Sequence, residues 1–127
     1  MTYEEEIEIV EGTFGVDVPL QAQDKDGDGV SITGCTVYWI VYDPESRSET
    51  TPVYVLKVAC TADDLSVGKV KYTLRESDWV CHSPTTPTGY LEGDKTYESI
   101  LLATKSGYRN EFLGLTVKVR KQAPTTS

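Results

Sequence analysis

The sequence predicts an all-β fold, an antiparallel β-sandwich of about seven to nine short strands, on three observations. Its dominant apolar period is two, which gives a strand one dry face and one wet face. Its apolar runs are short, recur every 8–15 residues and are separated by turns rich in Gly, Pro, Asp and Ser. Helix signals are scarce: only residues 61–68, "TADDLSVG", have the composition of a helical turn.

The elements can be justified in chain order. "EIEIVE" (residues 6–11) alternates and is closed by Gly12. In "FGVDVPLQAQ" (residues 14–23), Val16, Val18, Leu20 and Ala22 alternate with Asp17, Pro19, Gln21 and Gln23. Pro19 has no N–H to give a ladder, so this strand is expected at a sheet edge. "CTVYWIVYD" (residues 35–43) sets Val37, Trp39 and Val41 against Tyr38, Ile40 and Tyr42; both faces are apolar or aromatic, which places it centrally. "DPESRSE" (residues 43–49) reads as a turn and "TPVYVLKVA" (residues 51–59) as a β-branched strand.

"GKVKYTL" (residues 68–74) points Val70, Tyr72 and Leu74 one way. "TYESILLAT", "KSG" and "YRNEF" read together as a hairpin over residues 96–112, and "LTVKVRK" turns Leu115, Val117 and Val119 inward. Between them, residues 76–94 break the period and carry Pro84, Pro87 and Gly89, the signature of a long surface loop of the kind that often carries function. One domain over residues 1–120 and a disordered tail over 121–127 are expected.

Charge is concentrated at one end. Residues 1–28 hold nine acids against one base, Lys25, a net of −8, while the remaining residues balance at eleven of each sign. An acidic arm disfavours nucleic acid and anionic lipid, both of which need clustered Lys and Arg. No apolar run approaches the ~18–20 residues needed to cross a bilayer. The opening residues also lack the basic and apolar regions of a signal peptide, so the chain is expected to stay where it is made unless carried. Cys35, Cys60 and Cys81 form no CxxC pair, and with His82 the single imidazole they supply no zinc set; three reduced thiols are expected, at least two packed as small apolar side chains.

Two local motifs bear on chemistry. Asp24-x-Asp26-x-Asp28-Gly29 matches the first half of an EF-hand loop, but the twelfth position has Cys35's place rather than a bidentate Glu, and helices are missing on both sides. Asp24, Asp26 and Asp28 are therefore a weak calcium candidate, and the turn reading is preferred. His82, beside Ser83 and near Asp78, does not make a triad, because adjacent residues rarely meet across a fold. No catalytic residue, cofactor or small-molecule substrate is expected.

As a set, Leu20, Asp26, Gly27, Ile32, Thr33, Gly34, Thr36, Val37 and Trp39, with "GKVKYTL", "ESDW", "SGYRNEF" and "LTVKV", resemble the immunoglobulin-like N-terminal module of tailed-phage baseplate upper proteins and related virion fibre proteins. The resemblance covers roughly residues 7–120. It departs from the pattern in its longer 80–94 segment. It implies an immunoglobulin-like structural virion protein of a tailed bacteriophage: a docking, adaptor or decoration module on tail, baseplate, neck or head, in multiple copies with other virion proteins as partners. It would assemble in the host cytoplasm. The alternative is an Ig-like carbohydrate- or cell-surface-binding module, calcium-stabilised through the Asp24 turn. Docking is expected from the acidic arm, where Ile7 and Ile9 could pair with a partner's sheet edge while Glu4, Glu5, Glu6 and Glu8 face outward. The competing expectation is that Ile7 and Ile9 complete the chain's own sheet.

Overall fold

In the computed structural model, which describes residues 6–42, 54–79, 91 and 93–121, the alternation seen in the sequence becomes burial. Among the described residues nine strands follow in order: β1 (Glu6–Val10), β2 (Asp17–Gln21), β3 (Thr36–Tyr42), β4 (Tyr54–Ala59), β5 (Thr61–Asp64), β6 (Lys69–Thr73), β7 (Lys95–Lys105), β8 (Tyr108–Leu113) and β9 (Thr116–Arg120). They form two sheets. The larger runs β1-β9-β7-β3-β4, with β8 also paired to β7, and the smaller runs β2-β6-β5. The fold is all-β, with one antiparallel and one mixed sheet. The expectation of purely antiparallel pairing is corrected at one edge, where β1 lies parallel to β9.

Inward faces of both sheets share one apolar cluster. Val18 and Leu20 of β2, Val70 and Tyr72 of β6, and Val37, Trp39 and Val41 of β3 all lie in it. Trp39 is fully buried, and its ring centroid is 5.9 Å from that of Tyr72 on the facing sheet. As expected, β3 is central, between β7 and β4, and β2 with its Pro19 is an edge strand. Val16 departs from its pattern: it is half exposed, lying beyond the end of β2.

Strand β7 serves two partners along one side. Its Lys95–Tyr97 end pairs with β9, and its stretch from Ile100 to Lys105 pairs with β8. The step between β8 and β9 is held by Ser99, whose Oγ donates to the Leu115 carbonyl at 2.6 Å while Gly114 N donates to the Ser99 carbonyl at 2.9 Å. A Cβ at Gly114 would collide with Ser99 Oγ, so glycine is required by close approach here.

The segment expected as a surface loop, residues 76–94, is described at 76–79, 91, 93 and 94, and three of these residues reach the core. Asp78, Trp79 and Leu91 are buried, and Leu91 N donates to the Asp78 carbonyl at 3.0 Å. Trp79 Nε1 donates to the Thr13 carbonyl at 2.7 Å and so ties the β1–β2 link to the end of β6. Asp78 is held by the Tyr72 hydroxyl (2.6 Å), by Arg75 N (2.8 Å) and by the Arg75 guanidinium (3.3 Å). Burial, then the bond to Asp78, holds the Tyr72 phenol above the usual tyrosine range, with Arg75 pulling the other way.

Residues 61–68 also differ from expectation: Thr61–Asp64 is the edge strand β5, and only Leu65–Val67 makes a helical turn, of 3-10 type. Cys35 and Cys60 are free thiols packed against the core; burial pushes Cys60 up to about 12. Cys81, His82, the turn at 43–49 and the tail over 122–127 lie outside the described residues.

Candidate docking surface

The aspartate turn uses its own carboxylate. Asp24 Oδ1 accepts from the backbone N–H groups of Asp26 (2.9 Å) and Asp28 (3.0 Å), and Gly27 adopts φ +86°. This is an Asx turn closing the Gln23–Gly29 bridge. It is docked on the turn after β5, where Ala22 N donates to the Gly68 carbonyl at 2.8 Å and Ile32 N to the Leu65 carbonyl at 2.9 Å. Among the described residues no three His, Cys, Asp or Glu side chains gather closely enough to hold a metal ion. Asp24, Asp26 and Asp28 are thus placed as turn residues. Calcium should leave the melting temperature unchanged, while Asp24→Ala should cost about 1–2 kcal/mol in a denaturant titration through its two lost turn bonds.

The acidic arm belongs to the fold. β1 pairs with β9 from Glu6–Thr116 to Val10–Arg120, and its period sends Ile7 and Ile9 inward, Ile9 buried and Ile7 partly so. Ile9 and Ile7 therefore help to complete the chain's own sheet, which was the competing expectation, and β1 is the edge strand of that sheet. Glu6 and Glu8 face outward, and Glu8 is paired to Arg120 Nε at 2.8 Å. Glu4 and Glu5 lie outside the described residues.

The outer face of the larger sheet divides into two halves. Residues directly opposite in a ladder share a face, so pairing places side chains in rows. Around β1 and β9 the rows are polar: Glu6 with Thr116, then Glu8 with Lys118 and Thr96. Across β4, β3, β7 and β8 they are apolar. One row reads Lys57, Ile40, Ile100, Leu113; the next reads Ala59, Tyr38, Leu102, Glu111. Leu113 is 50% exposed, and Tyr38, Ile40 and Ile100 are partly so. Lys57 Nζ lies 5.4 Å from the Tyr38 ring centroid, and Arg109 pairs with Glu111 at 3.2 Å.

No protein-family model and no curated protein matches the chain. The surface itself must carry the functional reading. An apolar strip with a polar rim is the anatomy of a protein-binding face. The signal for it lies in "CTVYWIVYD", where both faces are apolar, a pattern that by itself does not separate burial from a binding face. Among the described residues, no helix is long and apolar enough to cross a membrane.

Proposed function

We propose that the protein is a structural docking module of a tailed-bacteriophage virion, built on an immunoglobulin-like sandwich and present in several copies per particle. The observation that carries the reading is the apolar strip of Tyr38, Ile40, Ile100 and Leu113 on the outer face of the larger sheet.

The strand order supports the Ig-like part. β2, β6 and β5 neighbour one another as strands B, E and D do in that fold, and β3, β7 and β8/β9 stand as C, F and G, with β4 beyond C. Trp39 occupies the core position on the C-like strand, and Tyr97 sits near the start of the F-like strand, two residues before Ser99, where Ig domains carry the second cysteine. The sequence resemblance to virion Ig-like modules supplies the class of partner.

The test is attachment to phage particles lacking the protein. Leu113→Lys places a charge on the strip where the side chain is already half in water, so its melting temperature should stay near that of the parent. Its co-sedimentation with particles should fall at least tenfold. Undiminished attachment of a folded Leu113→Lys protein would exclude this face as the docking surface.

A further inference from the structure

We infer that the occupant of the apolar strip is a second copy of this chain, packed face to face about a two-fold axis that runs along the strands. The inference rests on the docking reading above and names its partner.

Charge is the first argument. The chain carries a net −8, and most surfaces of two copies would repel. Among the described residues the apolar half of the outer face carries no net charge: Lys57 and Arg109 balance Glu98 and Glu111. Two acidic chains can meet there without like-charge repulsion. A basic partner would be drawn to the acidic surfaces instead.

The arrangement of those charges is the second argument. Lys57 lies on β4, at one side of the strip, and Glu111 on β8, at the other. A two-fold axis along the strands and centred between β3 and β7 sets each β4 over the partner's β8. Lys57 then meets the β8 strand that bears Leu113 and Glu111, and Ile40 lies over Ile100. A two-fold axis across the strands would instead set β4 on β4 and lysine on lysine. The surface is self-complementary in only one of the two senses, as a closed isologous pair requires.

Size sets the strength. With strands ~4.8 Å apart and same-face neighbours ~6.8 Å apart, four strands by two rows cover about 260 Å². A standard interface buries about 800 Å² per partner, so the pair is weak in free solution. It gains where copies are held side by side on a particle, through their high effective concentration.

Sedimentation velocity of the intact protein from about 1 to 500 µM should show a reversible monomer–dimer equilibrium in the micromolar range. Leu113→Lys and Lys57→Glu should each weaken it at least tenfold, with circular dichroism unchanged. The double exchange Lys57→Glu with Glu111→Lys should regain most of the loss, because each copy then offers the reversed pair. A monomer across the whole range, a dimer indifferent to these changes, or a double exchange no better than Lys57→Glu would each overturn the inference. If the intact protein is monomeric and Leu113→Lys still leaves the particle, the docking face stands with another partner. If the dimer behaves as described and Leu113→Lys stays attached, self-pairing stands and the docking reading falls.

Discussion

Asp78→Ala should lower the unfolding free energy by about 2–4 kcal/mol, read as a shift of the urea midpoint at constant slope. The Tyr72 hydroxyl and Arg75 N each lose a buried acceptor, and an orphaned buried donor costs about 1–3 kcal/mol. The Arg75 side chain is 61% exposed and turns to water, so its ion pair adds little. Asp78→Asn keeps the volume and one acceptor and should cost about half as much. An alanine variant within ~0.5 kcal/mol of the parent would show that the turn does not depend on this carboxylate. Burial of two acidic hydrogens sets an alkaline limit. The fold holds Tyr72 and Cys60 in their neutral forms, so their contributions are complete below the unfolded values. They are lost as pH rises, beginning near 9 for Cys60 and near 10 for Tyr72.

Deleting residues 1–11 should lower the melting temperature by more than ~10 °C or leave the protein unfolded. The deletion removes Ile9 and Ile7 from the core and all of β1's pairing with β9. It also removes the Glu11 carboxylate that accepts from Gly93 N at 2.7 Å. Ile9→Ala alone should cost about 2–4 kcal/mol, whereas Glu6→Gln, at an exposed side chain, should stay within ~0.5 kcal/mol. A truncated protein that melts like the parent but no longer attaches to particles would return the arm to the role of a docking strand. Melting temperature and co-sedimentation, taken on one preparation, separate the two.

The elements that could be read from the sequence are those whose burial is one-sided. β6 and β9 alternate strictly, and their inward residues Val70, Tyr72, Val117 and Val119 are the buried ones. β5 could not be read, because all four residues from Thr61 to Asp64 are exposed and the strand is specified only by main-chain bonds to β6. The parallel pairing of β1 with β9 was equally hidden, since it joins segments more than a hundred residues apart and leaves no local pattern. The burial of Asp78 and Trp79 leaves no local pattern for a related reason. Pro and Gly nearby signal a loop, but burial at its base is decided by Tyr72 and Thr13, outside the segment, and by Leu91, twelve residues on from Trp79. For the docking face, composition showed that both sides of β3 are apolar; only the register with β7 and β8 shows that the second side forms a continuous strip.

The parallel pairing of β1 with β9 has a mechanical consequence. Glu6 lies beside Thr116, and Val10 beside Arg120, so the chain enters this strand pair at one end and leaves it at the other. Tension applied upstream of Glu6 and downstream of Arg120 pulls the two strands past each other along their length. The inter-strand bonds are then loaded in shear and together, like the overlap of a lap joint. A hairpin pulled at its open end would instead peel apart one bond at a time. Held by its two ends, this domain is built to bear traction.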